Sequence, residues 1–319
     1  MEKKLGPATR DAYGEALVEI GGKNPNVVVL DADLSKSTKT ASFGAKFPDR
    51  FFNMGIQEAD MVGVAAGLAS SGKIPFVSSF ACFLVCKSYD QLRMAVAFPE
   101  LNVKVVTSHG GISVGEDGAS QQSIEDIALM TSLPGFAVMV PSDAVQTKAL
   151  VHEAARHVGP VYIRTGRPKT PVIYPEKTTF QIGKGVRLRE GKDVTLIANG
   201  LLVFEALAAS EQLKAEGIEA GVVDLHTAKP LDRKLLLEEA ARTHAFVVCE
   251  EHQIWGGLGS AVARLVSEEQ PVVMEFVAIQ DTYSESGAPD QLMEKYGLTA
   301  PHIVKRAKRA VARKGRVSV

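Results

Sequence analysis

The chain has no apolar run long enough to cross a bilayer. The longest uncharged stretch of note, IPFVSSFACFLVC from Ile74 to Cys86, falls short of the roughly 20 residues a spanning helix needs. The opening MEKKLGPATR lacks the apolar core of a secretory signal, so a cytoplasmic protein with no membrane partner is expected. Cysteine is scarce and odd in number. Of the 3, Cys82 and Cys86 form a C-x3-C with no second pair to complete a zinc set, and Cys249 lies in the apolar run AFVVC. Buried, reduced thiols are expected rather than a metal or redox centre. A surplus of either charge is missing too: 36 Lys plus Arg face 37 Asp plus Glu, so no global field draws the chain to nucleic acid. Internal repeats and low-complexity segments are also absent.

What is present is an ordinary globular composition over 319 residues, enough for two domains. Short apolar, β-branched runs alternate with helical patterns, the mark of parallel sheets covered by helices on both faces. NVVVL (26–30), IPFVSSF (74–80), NVKVVT (102–107), FAVMV (136–140) and VYI (161–163) read as strands, with helices near 11–22, 56–71, 87–97, 124–132 and 143–157. Ser123 with Asp126, and Ser142, read as helix caps. After Thr165 three prolines and no helical period mark a linker, taken as 168–190 between domains 1–167 and 191–319. VTLIANG (194–200) opens the second set of strands, which continues through AGVVDLH, AFVVCEE and PVVMEFV. The fold class expected is α/β, with two doubly wound domains.

In such sheets ligands bind beyond the carboxyl ends of the strands. The loops there are polar and glycine-rich: DADLSKS, SHGGISVGEDGASQQ and RTGRP, with RFFNMG leading to the same rim. Asp33, Ser37, His109, Glu116, Asp117, Gln121 and Arg164 are therefore expected to converge with Glu58, an acid that opens the apolar helix EADMVGVAAGLA. First-turn acids are common because exposed helix N–H groups favour negative charge. The company of an imidazole, further acids and an arginine favours acid–base chemistry with an anion held nearby.

Taken in order, ADLSKS, GIQEADMVGVAAGLA, GISVGEDGASQQSIED, YIRTG, LHTAKPLD and EEHQIWGGLGSA resemble the C-terminal half of transketolase, over essentially the whole chain. The resemblance implies a pyrimidine-binding domain followed by a transketolase C-terminal domain, with thiamine diphosphate as cofactor. It implies transfer of a two-carbon ketol group from a ketose phosphate to an aldose phosphate, the chemistry of the pentose phosphate pathway. Glu58 would bond the ring nitrogen of the cofactor's aminopyrimidine and favour its imino tautomer. Phe80 and Phe83 would pack on that ring, and Asp33 would stand in the same pocket. Arg10, Ser37, His109 and Arg164 would grip the sugar phosphate, Asp117 would read a hydroxyl, and His109, Asp117 and Gln121 would meet substrate oxygens.

Two positions depart from the pattern. Gln121 stands where a histidine is usual, and Cys86 where a tyrosine often borders the pyrimidine. The family's Gly-Asp-Gly motif with a downstream Asn is missing, so no magnesium or calcium site for the diphosphate is expected in this chain. The resemblance then implies a partner chain carrying the diphosphate-binding domain and its metal, in a two-plus-two assembly. A beta subunit of a 2-oxoacid dehydrogenase decarboxylase component, or a non-catalytic transketolase-like scaffold, are the alternatives. WGGLGS at 255–260 lacks the full dinucleotide-loop spacing, and the basic tail 304–317 reads as an amphipathic terminal helix rather than an RNA-binding arm.

Overall fold

The computed structural model describes residues 3–317. The strands are, in chain order, β1 Leu5–Ala8, β2 Val27–Asp31, β3 Phe51–Asn53, β4 Ile74–Ser78, β5 Lys104–Thr107, β6 Ala137–Met139, β7 Val161–Arg164, β8 Lys169–Pro171, β9 Val186–Arg189, β10 Val194–Ala198, β11 Ala220–Asp224, β12 Thr227–Lys229, β13 Ala245–Gln253 and β14 Val273–Ile279. A seven-stranded sheet runs β12-β6-β7-β5-β4-β2-β3 and a five-stranded one β14-β13-β10-β11-β9. Within these two sheets pairing is parallel except at β12–β6 and β11–β9, and β1 pairs antiparallel with β8 apart from them. This is the two-part, mainly parallel α/β architecture expected from the alternating pattern.

Every residue of β2 is buried, because both faces of the sheet are covered. Val28 and Leu30 enter one hydrophobic cluster and Val27 and Val29 another, as the two-residue period of a strand requires. The first of these clusters also takes in Ile197, Val223 and Phe246, so the two halves share core. Helices Thr9–Lys23, Glu58–Ser70, Asp126–Ser132 and Ala144–Arg156 cover the first sheet near the expected places.

Several local expectations shift. Asp143, not Ser142, caps helix Ala144–Arg156 by accepting from the Gln146 N–H at 2.8 Å, while the Ser142 hydroxyl turns to Asp224 at 3.0 Å. Helix Asp126–Ser132 has no side-chain cap. The stretch 168–190 is packed rather than loose: β8 pairs with β1, β9 edges the second sheet, and Tyr174 and Phe180 are buried. β12 comes from the second half yet completes the first sheet. Cys249 is buried and Cys82 half-buried, but Cys86 is exposed, because helix Ala81–Lys87 buries Ala81, Leu84 and Val85 instead. Helix Ala300–Val317 buries Ile303, Ala307 and Ala310, the expected apolar stripe. Among the described residues no helix is long and apolar enough to cross a membrane.

Candidate functional site

The carboxyl ends of the central strands lie side by side. Asp31 at the end of β2 is in register with Asn53 of β3 and Ser78 of β4, and Thr107 of β5 with Arg164 of β7. The loops leaving these ends form one rim. The Met54 N–H donates to the Asp31 carbonyl at 2.9 Å, which draws RFFNMG onto it as expected.

Glu58 is the first residue of its helix and only 3% exposed. Burial strips this carboxylate of its hydration, a cost larger than the helix dipole returns, so it needs a partner. Among the described residues that partner is Lys87, whose Nζ lies 3.4 Å from each carboxylate oxygen.

Beside it stands a stack of rings. Phe80 is parallel to Phe83 at 5.6 Å and to the His109 imidazole at 3.7 Å. His109 is 2% exposed, has φ +59°, and shares a 2.8 Å hydrogen bond with the Ser108 hydroxyl through Nδ1. Burial, and then the nearby Arg10 and Arg167, push its pKa down to about 3. The ring is therefore neutral, and its Nε2 has no hydrogen-bond partner among the described residues.

Arg10 is half-buried. Its Nη1 donates to the Ser37 carbonyl at 3.2 Å, its Nε is buried without a partner among the described residues, and burial lowers its pKa. Arg167, not singled out in the sequence, enters the same patch. Its Nη1 donates to the Val114 carbonyl at 2.7 Å and stands 3.4 Å from Glu116 and 3.5 Å from Asp117. Arg10, Arg167, His109 and Asp117 thus cluster, with two guanidiniums partly open to solvent.

Arg164 is drawn away from that cluster. It is 4% exposed, its Nε pairs with Asp126 at 3.4 Å, and its Nη2 donates to the carbonyls of Ser123 and Glu251. Gln121 is half-buried, its amide directed to the Ser120 hydroxyl at 3.3 Å. Asp33 is exposed at φ +63° and accepts from the Asn53 amide at 3.0 Å. The acid that shapes this loop is the fully buried Asp31, which accepts from the Leu34 N–H and from the hydroxyls of Thr38 and Thr40, with its pKa raised by burial. Its signal was present as the first acid of DADLSKS, directly after an apolar strand.

In the second half, the helix opened by WGGLGS directs the N–H groups of Leu258 and Gly259 at the buried Glu250 carboxylate, at 2.7 and 2.8 Å. The position an anion would occupy is filled from within the chain. Among the described residues no group of three or more His, Cys, Asp or Glu could hold a metal ion.

Comparison with known proteins follows the same outline. The family model for the transketolase pyrimidine-binding domain matches residues 6–172, and that for the transketolase C-terminal domain matches 183–303. A Methanocaldococcus jannaschii protein described as a transketolase C-terminal section is 47% identical over 301 residues, covering 93% of this chain and 94% of that protein. A 6-deoxy-6-sulfo-D-fructose transketolase subunit from a Clostridium species is 42% identical, covering 96% and 95%. Human transketolase is 40% identical across 91% of this chain, which there spans only 47% of the longer protein. Among solved structures, one described as a split gene transketolase, inactive beta4 tetramer, superposes with a TM-score of 0.89 at 50% identity, covering 97% of this chain and 99% of that one.

Proposed function

Since the chain belongs to the transketolase family, we propose that it is the pyrimidine-binding and C-terminal subunit of a two-chain transketolase that transfers a two-carbon ketol group between sugar phosphates. The observation that carries this reading is Glu58, a buried carboxylate at the strand-end rim whose side-chain partner among the described residues is a half-exposed ammonium, beside stacked rings. Those residues fit the pyrimidine end of thiamine diphosphate, an apolar aromatic ring with a nitrogen to bond. They offer nothing to a diphosphate–metal group, which we assign to a second chain. The relatives described as a C-terminal section and as a split-gene enzyme support that division, and the description of one as an inactive beta4 tetramer supports low turnover by this chain alone.

When bound, thiamine diphosphate supplies the carbon nucleophile that ketol transfer needs. Glu58 would fix the pyrimidine nitrogen, and Phe80 and Phe83 would hold the ring against solvent, with Asp33 at the pocket edge. Neutral His109 would bond a substrate oxygen through Nε2, and Asp117 would accept from a substrate hydroxyl. Gln121 would donate to or accept from the reacting oxygen without carrying a proton. For the anionic end of the sugar we assign Arg10, Ser37 and Arg167. The open nitrogens of Arg10 and Arg167 suit a tetrahedral oxyanion held bidentately. We do not keep Arg164 in that role, because its guanidinium is engaged by Asp126 and two carbonyls. A sulfonate has the same shape as a phosphate here, and the Clostridium relative's description names a sulfosugar.

The test is to purify the chain from its own cells, identify co-purifying chains, and assay the complex with xylulose 5-phosphate, with 6-deoxy-6-sulfofructose and with pyruvate. Ketol transfer by the complex, little by the chain alone, and a loss of at least about 100-fold in Glu58→Gln are expected. Turnover of pyruvate alone, or full activity in Glu58→Gln, would overturn the proposal.

A further inference from the structure

Lys87 occupies the ground between the two groups that a pyrimidine ring would touch. It ends helix Ala81–Lys87, and its Nζ lies 3.4 Å from both oxygens of Glu58 and 4.6 Å over the centroid of the Phe83 ring. An ammonium that straddles a carboxylate while resting on an aromatic face fills the space of a ring stacked on that face and bonded to that carboxylate. The two arrangements exclude each other. Equal and long distances to both oxygens mark a loosely held pair rather than a tight one-to-one hydrogen bond.

The asymmetry of exposure decides which partner gives way. Glu58 is 3% exposed and Lys87 49%, so Glu58 stays desolvated whatever Lys87 does, while the lysine can rotate its head into water at little cost. A buried carboxylate with no partner is costly. Something must therefore satisfy Glu58 before a ligand arrives and must be able to leave when it does.

Building on the reading of Glu58 given above, we propose that Lys87 is a displaceable placeholder for the cofactor's aminopyrimidine. It satisfies Glu58 in the empty pocket, competes with the cofactor for that carboxylate, and turns out to solvent when the ring enters. Lys87 is thus a positioning residue that sets cofactor affinity rather than a group that takes part in the reaction. An ion pair between a buried carboxylate and a half-exposed ammonium screened by water weakens cofactor binding by roughly 2- to 5-fold.

The experiment is calorimetric titration of thiamine diphosphate, with magnesium, into the assembled two-chain complex. Lys87→Met keeps the apolar stem on Phe83 and removes the charge, and Lys87→Arg keeps both. The expected result is a Kd about 2- to 5-fold lower in Lys87→Met, near the wild-type value in Lys87→Arg, and a ratio of wild type to Lys87→Met that falls toward one between 0.05 and 0.5 M salt as the ion pair is screened. A merely structural lysine would not give a ratio that closes with salt. Equal or weaker cofactor binding in Lys87→Met, or a ratio indifferent to salt, would overturn the placeholder while leaving the reading of Glu58 intact. Absence of cofactor binding in both wild type and variant would overturn that reading and the placeholder together.

Discussion

Replacing Arg164 and Arg167 one at a time separates an arginine tied into the fold from the one proposed above to hold a ligand. Arg164 is 4% exposed, pairs with the fully buried Asp126 and donates to two interior carbonyls. Arg164→Met removes the cation and leaves the carboxylate buried, a loss of about 3–5 kcal/mol when one member of a buried pair is deleted. Arg167 has a side chain 37% exposed, one backbone acceptor and two loose acidic neighbours, so Arg167→Ala changes stability by no more than about 1 kcal/mol. Its cost falls on the substrate instead. A charge-assisted hydrogen bond to an oxyanion contributes about 1.5–3 kcal/mol, which is roughly 10- to 150-fold in kcat/KM. The assay pairs thermal melts with kinetics on a phosphorylated and an unphosphorylated acceptor aldehyde, because a phosphate contact matters only for the first. An Arg164→Met protein that melts like the wild type but loses phosphorylated acceptors selectively would refute this assignment. So would an Arg167→Ala protein equally impaired on both acceptors.

Three further outcomes follow from the same geometry. The unfolded chain protonates His109 near pH 6.5, whereas the folded chain does so only near 3, so unfolding takes up a proton between these values and stability falls as pH drops through that window. The slope is about 1.4 kcal/mol per pH unit from this group, and urea midpoints from pH 4 to 7 should show it reduced in His109→Gln. Gly111 has φ +82°, and a Cβ there would lie 2.2 Å from the Glu251 carboxylate, so Gly111→Ala should cost about 2–4 kcal/mol in denaturant titration. Tyr174 donates to the buried Asp224 at 2.7 Å, and Tyr174→Phe should lower stability by about 1–3 kcal/mol, read as a lower Tm.

How far the site could be read from sequence depended on whether local pattern or distant chain decided each side chain's fate. Glu58 was legible because an acid inside an apolar helical period is conspicuous, and the strands were legible because their β-branched runs are buried on both faces. The burial of Arg164 on Asp126 was not. Strand alternation puts Arg164 on the same face of β7 as Tyr162, and helix Asp126–Ser132 lies over that face, where Asp126 accepts from the Tyr162 hydroxyl at 2.6 Å and pairs with Arg164. The parity can be counted in YIR, but nothing local says which helix covers it. Lys87 was hidden for the same reason, since its tie to Glu58 joins two helices 29 positions apart. Ser142 and Asp143 are both good caps, and the choice between them was made by Asp224, some eighty positions later.

The C-terminal half determines where the glycine-rich loop around 109–122 stands. Glu251 accepts from the Ser113 N–H at 2.6 Å, Gln122 donates to the Glu285 carbonyl at 3.1 Å, and the Gln253 N–H donates to the Ile124 carbonyl at 3.0 Å. Ile112 and Ile124, which flank the GEDG turn, are buried in the hydrophobic cluster of the second half. A glycine-rich loop of this length would otherwise sample many conformations, at about 1–2 kcal/mol per residue to fix. Here the ordering is supplied by a second domain, fastened to the first through β12 and the Asp224 network. His109 and Asp117 therefore sit on a braced segment rather than a free one, and preorganised donors and acceptors are what a site needs when its reacting groups arrive from elsewhere.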